Sequence, residues 1–278
     1  MPVPRALLAD PVLEVAPRLL GMVLRSTTDE GTVAVRLTEV EAYDGPNDPG
    51  SHAYRGETAR NAVMFGPPGF LYVYFTYGMH FCMNVSAGPD GQPSAVLFRA
   101  GEIVEGHDLA RKRRGQPDAA QAKVNQSASD QAALDGPSPG VASRQTPGVR
   151  PARPDLAGTG KTSAVLPGKR GLSGRGEPGG VLPGKPPSRQ AKTDPDRDLA
   201  RGPARMCAAL GIDRGANGAD LLDPGSPIQL LEGPGFEGEP FSGPRVGLRQ
   251  AADRPWRFWI PGDPTVSPYR PHVPKRRS

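Results

Sequence analysis

Cysteine is almost missing from this chain of 278 residues, with only Cys82 and Cys207 present, 125 positions apart. Neither belongs to a C-x-x-C or sits at metal-ligand spacing from two histidines, so no disulfide framework and no structural zinc are expected. Aromatic residues are sparse as well, at 6%. Long apolar runs are lacking. The N-terminal stretch MPVPRALLADPVLEVAPRLLGMVL carries Asp10, Glu14 and Arg18, which excludes both a signal peptide and a span of about twenty apolar residues. The expectation is a reduced, cytoplasmic protein with no membrane contact.

Glycine and proline are abundant instead, at 36 and 34 residues, so much of the chain is not regular packed core. The net charge of +5 and pI near 9.4, with 34 Lys and Arg, suit a polyanionic partner such as nucleic acid as well as simple solubility. Composition shifts twice along the chain. Residues 5 to 106 are dense in apolar side chains at structural periods, whereas 115 to 192 are almost free of aromatics and read as a disordered, basic Pro/Gly-rich insertion. A short duplication inside it, Val165–Lys169 and Val181–Lys185, is too brief for a repeat architecture. From Asp194 the pattern is globular again, and DPDRDLARGPARMCAALGI predicts a short amphipathic helix after an aspartate cap. One domain over 5–114 and 193–270 is expected, followed by a basic tail at 271–278.

Period and turn chemistry place the elements. Residues 11 to 20 fit a helix through Val12, Val15, Leu19 and Leu20. The stretch GMVLRSTTDEGTVAVRLTEVEAY predicts two strands joined at Asp29 to Gly31, with Glu39, Glu41 and Tyr43 sharing a face at the end of the second. A polar loop containing His52 and Arg60 follows. In FLYVYFTYGMHFCMN, Leu71, Val73 and Phe75 alternate with Tyr72 and Tyr74, then Tyr77 and Gly78 form a turn, and Phe81 to Val85 run back as a second strand. Three of the chain's six tyrosines fall in this hairpin. A further strand, SAVLFRA, delivers Arg99. Trp256, Phe258 and Trp259 are expected in the core, and Ser267 is a weak candidate for a phosphate contact.

An acid, an arginine and several rings without a metal set suit an enzyme that handles nucleobases, because an extruded base is held by stacking and read through its polar edge. The Glu39 and Glu41 couple also raises a sugar-hydrolase reading, which their i, i+2 spacing of about 7 Å on one strand weakens, since glycosidases take opposed carboxylates from different elements.

The segments VEAYDGPNDPGSHAYRGETARNAVMFGPPGFLYVYFTYGMHFCMNVS, AVLFRA, LARGPARMCAALGI and GPRVGLRQAADRPWRFWIPGDPTVS, in this order, resemble the alkyladenine (3-methyladenine) DNA glycosylases. That resemblance implies a mixed α/β (α+β) domain on a curved antiparallel sheet with a protruding hairpin, similar to the C-terminal domain of methionyl-tRNA formyltransferase. It implies a monomeric, monofunctional base-excision repair enzyme that needs no cofactor or metal, flips alkylated or deaminated purines out of double-stranded DNA and hydrolyses the N-glycosidic bond. By position in the motifs, Glu41 matches the general base and Arg99 the arginine that holds the attacking water. Tyr43 and Tyr74 match rings that sandwich the base, and His52 a histidine lining the pocket. Asn84 matches the asparagine that obstructs the exocyclic amino group of guanine, and Tyr77 the residue that enters the minor groove. Tyr72 is assigned to packing. Residues 41 to 99 contain no lysine to form a Schiff base, which speaks against lyase activity. A binding module of the same fold that has lost catalysis is the alternative, and the presence of Glu41, Arg99 and both tyrosines weighs against it.

Overall fold

The computed structural model describes residues 1–76, 79–115 and 196–273. They fall within one compact unit, Met1–Leu134 with Thr193–Ser278; a second unit, Asp135–Lys192, lies outside the described residues. The expectations for the 115–192 insertion and for Tyr77 also lie outside them, Gly115 apart, as does most of the basic tail.

The sheet is built around one long strand. β1 (Val23–Thr28) and β2 (Gly31–Tyr43) form the expected hairpin, with Thr28 opposite Gly31. β2 continues past the end of β1. Its first half lies between β1 and a later strand, β5 (Ser94–Glu105). Its second half keeps β5 on one edge and gains on the other the short strand β8 (Arg257–Trp259), which pairs outward with β7 (Phe241–Gly243). β3 (Leu71–Thr76) and β4 (His80–Ala87) extend the sheet beyond β5, and β6 (Ile228–Leu231) closes the far edge against β1. All pairings are antiparallel, and the exchange of β1 for β8 along β2 curls the sheet into a half-barrel. The fold class is therefore mixed α/β on a curved antiparallel sheet.

Helices α1 (Arg5–Leu8), α2 (Val12–Arg18), α3 (His107–Gly115) and α4 (Pro203–Leu210) cover the sheet. Leu8, Val15 and Leu19 meet Val35, Leu37, Phe98, Met206 and Leu210 in the main core. The period-two reading of β3 holds: Leu71 and Val73 enter that core with Phe75 packed against it, while Tyr72 and Tyr74 turn to a smaller cluster with Ala53, Met64 and Ala95. Two expectations are corrected. The helix near 200 starts at Pro203 behind Gly202, whose φ is 119°, and has no aspartate cap; proline suits a first helical turn because its φ is preset and its missing N–H has no partner to lose there. The strand around Phe98 runs on to Glu105, because Gly101 lets β2 and β5 approach closely where a Cβ would fall 2.4 Å from the Arg36 carbonyl oxygen. Trp256 and Phe258 pack at the margin of the core rather than deep within it.

Candidate active site

The half of β2 flanked by β5 and β8 carries Glu39, Glu41 and Tyr43, and neither glutamate has any exposed surface. The β2–β5 register breaks on both sides of Glu39, leaving Thr38 and Arg99 without a partner across the ladder. These bulges re-aim side chains, and here Arg99 ends against both acids. Its Nε donates to Glu39 Oε1 at 2.7 Å, and its Nη1 lies 3.3 Å from Glu41 Oε1. Burial works against the charge of Arg99, but Glu41 and Glu39 outweigh it and raise the guanidinium pKa above its ordinary value.

Glu39 is the better satisfied of the two carboxylates. It also accepts from Arg257 Nε at 2.6 Å, from the Ser267 backbone N–H at 2.6 Å and from the Ser267 hydroxyl at 2.9 Å. Arg257 reaches the Ser267 carbonyl at 2.7 Å, and Arg99 Nη2 donates to the Ser267 hydroxyl at 3.1 Å. Ser267 is thus buried inside this network, and the idea that it touches a phosphate is corrected. Glu41 accepts from the Tyr43 hydroxyl at 2.8 Å and from the Val246 backbone N–H at 2.7 Å. Burial and then the Glu41 charge push the Tyr43 phenol well above its usual pKa, so it stays protonated and donates.

Beside these charges opens a pocket of about 340 Å³ lined by Tyr43, His52, Met64, Tyr72, Asn84 and Leu248, with Gly50, Ser51 and Ala95 completing the wall. His52 stands on the loop after β2, which Asn61 pins by donating to the carbonyls of His52 and Gly56 and accepting from Thr58. The His52 residue is open to solvent on one side, but its ring meets Tyr74 edge-on at 4.6 Å and Tyr72 at 6.0 Å. That desolvation, then the charge of Arg60, lowers its pKa from 6.5 to about 4. His52 Nδ1 lies 2.9 Å from the Tyr72 hydroxyl. Burial raises the Tyr72 pKa, so the phenol is assigned as donor, the neutral imidazole accepts, and the ring proton sits on Nε2. Asn84, opposite Tyr72 in the β3–β4 ladder, donates to the Tyr72 carbonyl at 3.2 Å.

The structure therefore gathers Tyr43, His52 and Asn84 around one pocket with Glu41 and Arg99 next to it. Tyr74 stands apart from that lining. It stacks on Tyr72 at 5.6 Å and faces a second depression with Arg60 and Arg214. Tyr72, expected only to pack, is 1% exposed and does pack in the small cluster, but it also lines the pocket and holds His52. Sequence reasoning does not find Glu39, Asp48, Asn61, Arg245 and Arg257 as supports. Glu39 carries a signal, its shared strand face with Glu41, and Asn61 lies within nine residues of its partners; Asp48 with Arg245, and Arg257 with Glu39, pair across about 200 positions.

Fold and site together define an α+β protein with a sealed Glu–Arg centre beside a tyrosine-lined pocket. Comparison with known proteins makes the class specific. The family model for methylpurine-DNA glycosylase matches residues 6–139 and 181–264, and the chain belongs to that family. Proteins provisionally named 3-methyladenine DNA glycosylase are similar over nearly the full length. The one from Streptomyces avermitilis is 44% identical over 99% of this chain and 95% of its own. That from Leifsonia xyli is 43% identical over 94% and 89%, and that from Nocardia farcinica 40% over 92% and 85%.

Proposed function

We propose that this protein is a monofunctional DNA glycosylase that takes alkylated or deaminated purines, of the 3-methyladenine, 7-methylguanine, hypoxanthine and ethenoadenine class, out of duplex DNA and hydrolyses their N-glycosidic bonds. The observation that carries this reading is the buried Glu41–Arg99 pair beside a pocket walled by Tyr43, His52 and Asn84, in a chain of this family. An ionised carboxylate has about four acceptor directions. Donors from Tyr43, Val246 and Arg99 occupy three around Glu41, which leaves one for a water. Glu41 takes a proton from that water as it attacks the anomeric carbon, and Arg99 holds the water in line. The base departs with the bonding electrons and an abasic site remains.

Tyr43 stacks on one face of the base from the pocket wall, and Tyr74 takes the other face once it turns from its stack on Tyr72. A purine alkylated at N3 or N7 is cationic, so it leaves readily and is attracted to electron-rich rings. Asn84, buried at the pocket wall, obstructs the exocyclic amino group of guanine, a penalty that the positive charge of 7-methylguanine offsets. The Nε2–H of His52 faces the backbone of the flipped nucleotide, and Tyr77 fills the gap in the duplex. One glycosylase domain, 5–114 with 193–270, does this as a monomer.

The test is incubation with duplexes carrying one hypoxanthine, ethenoadenine or 7-methylguanine. The protein should release the base and leave an intact, alkali-labile strand, and Glu41→Gln should be slower by roughly 10²–10⁴-fold, the usual worth of a positioned general base. Binding of all three duplexes without base release would overturn the enzymatic reading in favour of a binding module. Strand nicking without added base would overturn the monofunctional one.

A further inference from the structure

The largest fully buried side chain of the described residues is Arg245, 1% exposed and outside the catalytic pair. Its two terminal nitrogens fork onto the Asp48 carboxylate at 2.5 and 2.7 Å, and Nη1 also donates to the Ala42 carbonyl at 2.9 Å. Its Nε has no hydrogen-bond partner. An arginine sealed away with one donor unused is costly, and stacking accounts for its place: the guanidinium carbon lies 4.5 Å from the Tyr43 ring centroid and 5.1 Å from that of Trp256. One face of Tyr43 is therefore covered by a fixed cation, and only the opposite face is left for a ligand in the pocket that Tyr43 lines.

Resting on the base-excision reading above, we propose that the Arg245–Asp48 pair is a specificity-determining support of Tyr43 that sets how strongly the pocket prefers cationic over neutral purines. A cation behind a ring withdraws electron density from the face in front and weakens its attraction for a second cation. Asp48 offsets part of that charge. The pair together holds Tyr43 at an intermediate setting, tight enough for a cationic base and not so electron-rich that neutral bases are left behind. The same pair fixes geometry. Asp48 Oδ1 also accepts from the Gly50 N–H, which shapes the pocket loop, and the residue after Arg245 supplies the N–H that Glu41 accepts. Arg245 thus touches the supports of both the pocket and the base without touching the ligand.

Charge and geometry separate in three variants, each assayed in single-turnover base release on duplexes with 7-methylguanine (cationic) and hypoxanthine (neutral), at enzyme concentrations that give both affinity and maximal rate. Asp48→Asn keeps the Gly50 contact and leaves the Arg245 charge unbalanced, so the 7-methylguanine-to-hypoxanthine ratio should fall. Adding Arg245→Met removes the cation in a side chain of similar length, and the ratio should rise above that of the unaltered protein. Each change should be about threefold or more, carried mainly by affinity. Arg245→Lys should leave the ratio near its original value even if overall rates drop. A purely structural role would slow both substrates together in every variant, and equal slowing, or shifts of one sign in both Asp48→Asn and the double variant, would overturn the proposal. If Asp48→Asn does not fold, the double variant against Arg245→Lys decides the same question. Release of neither base by the unaltered protein would instead be the failure of the glycosylase reading itself.

Discussion

At the scale of single residues, Glu39 is the least dispensable charge. It is the hub between Arg99, Arg257 and Ser267 and is wholly buried, so Glu39→Gln leaves two guanidinium groups, each under a tenth exposed, short of one negative charge. Breaking a buried ion pair from one side costs about 3–5 kcal/mol. Denaturant unfolding of Glu39→Gln should show a loss of that order, with base release reduced because Arg99 loses its anchor; a loss below about 1 kcal/mol would mean that Glu41 alone holds Arg99. His52 gives a pH signature. The unfolded chain protonates it near 6.5 and the folded protein only near 4, through desolvation and then Arg60. Between those values the unfolded state binds more protons, so this group lowers stability as pH falls through that window and has no effect above it. Against His52→Gln, the melting temperature of the unaltered protein should drop more steeply from pH 6.5 to 4, and parallel curves would remove His52 from the account.

At the scale of elements, the site is made by irregularity in one strand pair. Regular alternation would put Arg99 in a ladder between β5 and β2; the breaks around Glu39 free it to meet both glutamates. Gly101 sits one pair from that break, where a Cβ would lie 2.3 Å from Val35 Cγ1 and 2.4 Å from the Arg36 carbonyl oxygen. Gly101→Ala should force β2 and β5 apart, destabilise the fold by about 1–3 kcal/mol as overpacking does, and slow base release; thermal melts and the hypoxanthine assay check both, and an unchanged melt would mean the strands separate freely there. This also marks how far the sequence can be read. The β1–β2 and β3–β4 hairpins are legible because period-two alternation and turn residues are local signals. The strand face shared by Glu39 and Glu41 is legible for the same reason. That Arg257 and Ser267 close over Glu39, and Arg245 over Asp48, is not, since the contacts span about 200 positions or more and the strand that brings Arg257 is only three residues long. Tyr72 reads as packing alone because alternation gives a side chain's face, not what the loop carrying His52 lays upon it.

At the scale of the whole chain, charge is unevenly spread, and that bears on how DNA would be held. The two stretches matched by the family model leave residues 140–180 between them. Those residues carry seven Lys and Arg against two Asp and Glu, so the entire net charge of +5 belongs to them and the remainder of the chain is neutral. Residues 5–114 and 193–270 carry 20 Lys and Arg against 24 Asp and Glu, so a basic segment outside that domain would divide two tasks: the pocket would recognise the base, and the segment would add sequence-independent attraction to phosphates through counterion release. Removing 140–180 should then leave base release at saturating enzyme near its original rate, because no residue of the candidate site lies there. Affinity for undamaged duplex should fall at low salt, and the slope of log affinity against log salt should flatten by about 0.9 for each phosphate no longer neutralised. Fluorescence anisotropy over a salt series measures this directly. An unchanged slope would show that the segment does not engage DNA, and basic groups outside it, Arg60 and Arg214 at the second depression and Lys275, Arg276 and Arg277 in the basic tail, would then have to supply the attraction to the backbone.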